Sequence, residues 1–412
     1  MTTELRVPGA DDVDEWFRVV DSAFGGILTG HAEGLQKWRK LLEPGRAVTA
    51  WDAGEMVGTA GAHTFRMTVP GGGCVPTAGV TMVSVKPTHR RRGVLTSMMR
   101  RQLDDVHEWG EPLAVLTASE AAIYGRFGYA VATGQLTADV DTVRAPLSVP
   151  AASDAVRLRL VPAGDPAVFR ACEDLYARQV PRRPGMLRRM PGWEDMPLHD
   201  PARDRHGASP LQCVLAELDG ELRGYARYAV RPDADAAGAK GEVLLRELEA
   251  LDPAAHGALV RYLFGIDLTC TLSTHNRPVD DPWLQMVSDL RRCRIGIRDG
   301  LHVRLVDVGA ALAARTYQAP VDVVLEVEDG FCPWNAGRWR LAGDAKGAVC
   351  EPTRDAPDLA LSVRELGAGY LGGPTLTALA GAGRVREVRA GALAQASVAF
   401  RSDVAPWLPH GF

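Results

Sequence analysis

The chain has 412 residues, 46% apolar and 24% charged, with a net charge of −4. That is an ordinary globular make-up with room for roughly two to four domains, and it lacks the basic excess of a nucleic-acid binder. No apolar run approaches the roughly 18 residues that span a membrane, and the opening "MTTELRVPGADDVDEW" has no apolar signal core, so a cytoplasmic location is expected.

In chain order, "LRVPGADDVDEWFRVVDSAF" (Leu5–Phe24) reads as a short strand, a proline turn and an amphipathic helix. Asp11 or Asp12 is the expected cap, and Val13, Phe17 and Val20 form the apolar face. Farther on, Val80, Met82, Val83 and Val85 read as a largely buried strand that Pro87 ends. Val94, Leu95, Met98, Met99, Leu103 and Val106 then recur at helical spacing. Between strand and helix stands His89-Arg-Arg-Arg-Gly93. Three arginines in a row are ordinarily a solvated face. Here they lead through a glycine into a helix start, whose unpaired N–H groups and partial positive charge can hold a phosphate. The stretch is neither a Walker A loop nor the three-glycine dinucleotide fingerprint.

"LRLVPAGDPAVFRACEDLYA" (Leu158–Ala177) repeats the opening pattern, with Asp165 ahead of Val168, Phe169, Cys172 and Leu175. This suggests an internal repeat of about 150 residues, joined through the Pro/Ala-rich stretch Val143–Val156. In the second copy the arginine loop is replaced by Asp252-Pro-Ala-Ala-His256, within Val243–Ile266. An aspartate there repels a pyrophosphate, so the first copy is expected to bind a cofactor and the second to be scaffold. From Arg298 a third region begins. "VDVVLEVEDG" (Val321–Gly330) alternates as a half-buried hairpin strand up to an Asp-Gly turn. "GRWRLAGDAKGAVCEP" and "PDLALSVRELGAGYLGG" add more strand and a helix carrying Leu366 and Tyr370, and nothing in the region has catalytic spacing. The seven cysteines are scattered, odd in number and without a Cys-x-x-Cys pair, which reads as reduced thiols and no metal site.

"PTAGVTMVSVKPTHRRRGVLTSMM" (Pro76–Met99) resembles the pyrophosphate loop of GNAT acetyltransferases, Gln/Arg-x-x-Gly-x-Gly/Ala, with Arg90 and Gly93 in place and Leu95 departing from the small residue. Together with "LAVLTASEAAIYGRFGYAVAT" (Leu113–Thr133) it closely resembles the actinobacterial Eis (enhanced intracellular survival) family along the whole chain. The resemblance implies a mixed α/β protein of tandem GNAT folds followed by an α+β domain. Residues 1–147 would be an active GNAT domain, 148–297 a degenerate one, and 298–412 a sterol-carrier-protein-like domain with a catalytic carboxy terminus.

It also implies acetyl-CoA as cosubstrate, held by Val83, Val85, Arg90, Arg91, Gly93 and Ser119, with Arg92 in the run but facing water. Tyr124 would protonate the departing thiolate and the terminal carboxylate of Phe412 would accept the amine proton. Tyr129 and Glu120 are the alternatives for the two roles. A carboxylate with a reference pKa of about 3.5 is a weak base unless buried, so orienting the amine is a further role for it. Phe24 and Trp38 match aromatic positions of the substrate pocket. His63, His89 and His107 lack ligand spacing and read as structural.

The expected activity is N-acetylation of primary amines on a bulky cationic acceptor such as an aminoglycoside, hence antibiotic resistance, in a homo-hexamer. Direct attack is expected, since no cysteine lies in either motif. Two positions that carry carboxylates in aminoglycoside-acetylating relatives are here in the Gly25-Gly26-Ile27-Leu28 stretch and at Gly411. Acceptors of another kind, a protein lysine or a polyamine, and a non-catalytic lipid-binding protein are the other readings.

Overall fold

The computed structural model describes residues 3–26, 32–193 and 195–412. The chain forms two compact units: residues 1–133, 300–406 and 411–412 in one, and 134–299 with 407–410 in the other.

The first unit holds two sheets. One has strand order β1 (Glu4–Arg6), β2 (Val48–Asp52), β3 (Glu55–Thr68), β4 (Cys74–Val85), β5 (Leu113–Thr117), β16 (Leu301–Leu305), β6 (Ala130–Val131). All neighbours are antiparallel except β4 and β5. Helix α3 (Val94–Glu108) follows β4 and packs Met99, Leu103 and Val106 against Ala62, Ala78, Val80 and Ala114. Helix α1 (Val13–Ala23) packs Trp16, Phe17 and Val20 with Leu42 and Met56; α2 (Ala32–Leu41) joins this cluster through Trp38. Asp12 does not cap α1. Its carboxylate accepts from Gly9 N at 2.8 Å in the turn just before the helix.

The other sheet has order β19 (Gly347–Pro352), β18 (Gly337–Asp344), β17 (Val321–Glu328), β20 (Leu359–Ser362), β21 (Val385–Glu387). With it go α7 (Val308–Ala313), α8 (Val363–Tyr370), α9 (Leu376–Gly381) and α10 (Ala392–Phe400). β17 buries Val321, Val323, Leu325 and Val327 as its alternation requires. It is a central strand, however, and no tight Asp-Gly turn ends it. Asp329 is buried and accepts from Arg304 Nη2 (2.7 Å), Asn335 Nδ2 (3.0 Å) and the N–H groups of Phe331 and Cys332. A buried carboxylate with four donors is a structural hub.

The second unit has sheet order β15 (Gly296–Asp299), β7 (Gly134–Asp141), β14 (Thr269–Arg277), β13 (Gly241–Ala250), β10 (Glu221–Arg231), β9 (Gln212–Leu218), β8 (Arg157–Pro162), plus a two-stranded ribbon of β11 (Ala234–Asp235) and β12 (Gly238–Ala239). Asp165 caps α5 (Pro166–Gln179), accepting from Ala167 N and Val168 N. Asp252 caps α6 (Pro253–Phe264), accepting from Ala255 N at 2.9 Å, and pairs with Arg223 at 2.8 Å. Within this unit Trp407 Nε1 donates to Asn276 Oδ1 (2.8 Å), and Asn276 Nδ2 donates to the carbonyl of Leu408 (3.0 Å).

Strand pairing crosses the domain limits read from sequence. β7 precedes the 147/148 limit yet pairs with β14 and β15, and β16 lies beyond the 297/298 limit yet is an interior strand between β5 and β6. All seven cysteines are free thiols.

Candidate active site

β4 and β5 run parallel from Thr77↔Leu113 through Gly79↔Val115, and there their pairing ends. β4 continues to Val85. A bulge turns it away: Thr59 faces Ser84 and Gly61 faces Thr81, so Met82 and Val83 together oppose one residue of β3. Met82 takes φ +49°, which is uncommon for a non-glycine residue and is held by its neighbours. The buried Thr59 hydroxyl lies 2.7 Å from both the Met82 carbonyl, to which it donates, and Ser84 Oγ. The Trp16 indole N–H points at Met82 Sδ at 3.5 Å. The result is a V between two strands of one sheet, in which β4 beyond Gly79 no longer pairs with β5. Met82, Val83 and Val85 are therefore half-exposed rather than largely buried.

The V opens into a groove of about 800 Å³ whose floor includes Val83 and Val85. At one end lies the cationic loop. Gly93, at φ +84°, is the residue before α3, and no side chain caps that helix. Gly93 needs glycine for this backbone angle, and its missing Cβ leaves open space above the first helical turn. Arg90 and Arg91 line the groove beside it. Arg90 Nη2 donates to the carbonyl of Ala23 (3.0 Å) and Nε to that of Val85 (3.4 Å), so its guanidinium is already oriented. Arg92 does not simply face water: its Nη2 lies 3.1 Å from Asp52, which also sits 3.3 Å from His89 Nε2. Asp52 thus tethers the loop from outside, while His89 contributes to the groove wall. A helix start without its own cap, flanked by two arginines, is suited to a pyrophosphate.

Along the opposite wall stand Ser119, Glu120, Ile123 and Tyr124. Tyr124 ends the short helix α4 (Ala121–Tyr124), and the chain turns back through Gly128 at φ +87°. Burial, and then the Glu120 carboxylate, push the Tyr124 phenol above its usual value, so it stays protonated. Tyr129 sits behind it, ring centroids 6.1 Å apart, only 1% exposed, its hydroxyl without a hydrogen-bond partner among the described residues. Of the two tyrosines, only Tyr124 faces the groove.

The carboxy terminus ends at the apex of the V. The Phe412 ring meets Phe65 edge-on with centroids 5.1 Å apart. A Cβ on Gly79, the last residue paired to β5, would stand 3.2 Å from Phe412 and 2.4 Å from Phe65. Gly411 lies by Thr117, the last residue of β5. Beneath Phe65 is the buried His63, ring centroids 5.7 Å apart, beside Glu43. Burial opposes ionisation of Glu43, yet His63, Thr64 and Arg46 hold its carboxyl down to about 2.

Val83, Val85, Arg90, Arg91, Gly93, Ser119, Tyr124 and Phe24 thus share one groove. Trp38 does not line it and packs with Trp16 and Phe17 instead. His107 stacks on Trp334 at 4.5 Å. Gly26 ends the described part of the loop after α1; Ile27 and Leu28 lie outside the described residues. Glu15 is engaged by Arg18 and Lys86. Sequence reading missed Thr59, Phe65, Gly79 and Asp52. Only Gly79 carried a local signal, a glycine inside an apolar strand.

Known proteins resemble this chain in domain order, sequence and fold. Residues 4–132 and 185–305 each match an acetyltransferase (GNAT) domain, and 308–409 match a sterol carrier protein domain. An uncharacterised N-acetyltransferase of Streptomyces avermitilis is 63% identical over the full length of both chains. The N-acetyltransferase Eis of Mycobacterium tuberculosis is 35% identical over 98% of each chain. The crystal structure of Eis1 from Mycobacterium abscessus covers both chains completely, with 34% identity and a TM-score of 0.84. Two GNAT domains, a sterol-carrier-type domain and this full-length likeness make the chain a member of the Eis family of N-acetyltransferases.

Proposed function

We propose that the enzyme transfers the acetyl group of acetyl-CoA directly to a primary amine of a bulky cationic acceptor, with both substrates bound together. The observation that carries this reading is the V between β4 and β5. It joins an uncapped, arginine-flanked helix start to a groove bearing one protonated phenol. The pyrophosphate would lie on Gly93, Arg90 and Arg91, and the pantetheine arm along Val83–Val85, with Ser119 on the other wall.

The amine nitrogen attacks the thioester carbonyl carbon, so a C–N bond forms as the C–S bond breaks. The amine proton passes to the Phe412 carboxylate, and Tyr124 gives its proton to sulfur, releasing the free thiol. A phenol suits a thiolate leaving group because their basicities are close. Phe24, 41% exposed on the groove, offers a face for the acceptor. Assembly as a homo-hexamer belongs to the same proposal and is measurable by light scattering.

Acetyl-CoA turnover with an aminoglycoside panel and a lysine peptide tests the reading. Thiol release with an aminoglycoside supports it. Turnover of the peptide alone would move the acceptor to proteins, and no turnover with any amine would defeat the proposal.

A further inference from the structure

The third domain carries a motif the site has not absorbed, Gly367-Ala-Gly-Tyr-Leu-Gly-Gly373, and a buried cation with no evident purpose, Arg315. We infer that Gly372, Gly373 and Arg315 form a seat for the carboxy-terminal tail and so act as positioning residues for the terminal carboxylate. The inference rests on the role proposed for Phe412.

Arg315 is 1% exposed. Its Nη2 donates to the carbonyl of Phe400 (2.8 Å), its Nη1 to that of Tyr370 and its Nε to that of Thr316 (3.2 Å). The rings of Tyr317, Tyr370 and Phe400 surround it, their centroids 4.7, 5.9 and 5.0 Å from the guanidinium carbon. Tyr370 and Phe400 are the last residues of α8 and α10. Helix-end carbonyls lack an internal donor and sit at the negative end of the dipole, so one guanidinium caps two helices at once. What leaves those two ends is the glycine pair and the tail.

They lie directly on each other. Gly372 is at φ +83°, and a Cβ there would stand 2.4 Å from Ser402 N and 2.8 Å from the carbonyl carbon of Arg401. Ser402 N donates to the Gly372 carbonyl at 3.4 Å. Gly373 is not among the glycines with positive φ, so its backbone angles do not demand glycine. Its neighbours do: a Cβ would meet Ala132 O at 2.8 Å and Pro406 Cγ at 3.1 Å. Contacts this close involve backbone and a proline ring, which cannot swing aside. Six residue steps lead from Pro406 to Phe412, at most about 3.5 Å each, and Pro409 stiffens them. A shift at the seat displaces the first residue of the segment that ends in the carboxylate, and the proposed positioning consists in this displacement being carried to Phe412.

The test compares Gly373→Ala and Pro406→Ala with wild type and with a protein extended by a few residues after Phe412. Pro406→Ala leaves every helix and Arg315 untouched, so it carries the test if Gly373→Ala does not fold. The measurements are kcat, the KM for acetyl-CoA, and release of Phe412 by carboxypeptidase followed by mass spectrometry. Faster release of Phe412 is expected in both variants. So is a kcat reduced by about 10²-fold for Gly373→Ala and less for Pro406→Ala, at unchanged KM and with partial rescue by formate. Wild-type release and kcat in both variants, with the extended protein inactive, would overturn the seat and leave the role of Phe412 standing. Full activity of the extended protein would instead overturn the role of Phe412, and the inference with it.

Discussion

The two copies of the repeat share strand, loop and helix, and they part at the first helical turn. α3 starts at Gly93 with no side-chain cap, whereas α6 starts at Asp252, whose carboxylate takes the Ala255 N–H and pairs with Arg223. Each helix start has donors that need acceptors. The second copy supplies one from its own cap side chain, and the first supplies none there. The clefts differ in the same sense. β13 and β14 also stop pairing part-way, after Leu245↔Thr274, but beyond that point β13 carries the buried Glu247 and Glu249. Glu247 is held by Arg189 and Arg227 at 2.9 and 2.6 Å. The strand–loop–helix shape is common to both copies, and they differ in where charge is placed at the helix start and along the cleft.

Removing the proposed proton donor should break this contrast most severely. Tyr124→Phe is expected to lower kcat by roughly 10²–10⁴-fold in steady-state assays at unchanged thermal midpoint. Tyr129→Phe, which removes a buried hydroxyl with no partner, should leave kcat alone; a larger kinetic loss there would exchange the two assignments.

Next comes the loop. Arg90→Ala with Arg91→Ala removes two charge-assisted contacts of about 1.5–3 kcal/mol each, so the KM for acetyl-CoA should rise at least 10-fold. Unchanged cofactor affinity by calorimetry would make the run a solvated face after all.

The counterpart change in the second copy should be small and of a different kind. Asp252→Ala forfeits a helix cap, about 1 kcal/mol of stability, with no change in KM. A large rise in KM would show that the second copy holds cofactor.

The subtlest difference is in pH response. Burial pushes the Glu249 carboxyl up to about 7, against an ordinary value of 4.5, while Glu43 in the first unit is held down to about 2. Glu249 binds its proton more tightly folded than unfolded. Its contribution to stability is full below pH 4.5 and is lost as pH rises through about 7. Glu43 has the opposite sign, contributing above pH 4.5 and losing that as pH falls toward 2. Thermal midpoints from about pH 5 to about pH 8 should therefore fall in wild type, and Glu249→Gln should flatten the decline. An identical decline in the variant would remove Glu249 from the account.

The active loop was legible because its parts are local: periodic apolar residues on either side, a glycine at the turn, arginines between them. Asp252 was legible only as a charge that repels a pyrophosphate, not as the cap of α6, whereas Asp165 was legible ahead of its helix for the same local reason. Asp12 was not, because an aspartate before a helix can equally close the preceding turn, and here Gly9 N took it. Trp38, expected in the acceptor pocket, is partly buried and packs beside the Trp16 cluster, a placement that local spacing in the sequence does not specify. Arg315, Gly79 and the Gly372–Gly373 pair gain their meaning from segments far away in sequence. So do β7 and β16, whose alternation fits either sheet.

The placement of β16 bears on how the chain can come into being. It lies between β5 and β6, so residues 1–133 emerge from synthesis as a sheet lacking an interior strand, with the missing piece about 170 residues behind. Closing so long a loop is slow, and until it closes β5 and β6 expose edges to other nascent chains. A fragment ending near residue 147 carries every groove residue except the terminus and still cannot complete its own sheet. Folding of the catalytic half waits on translation of nearly three-quarters of the protein.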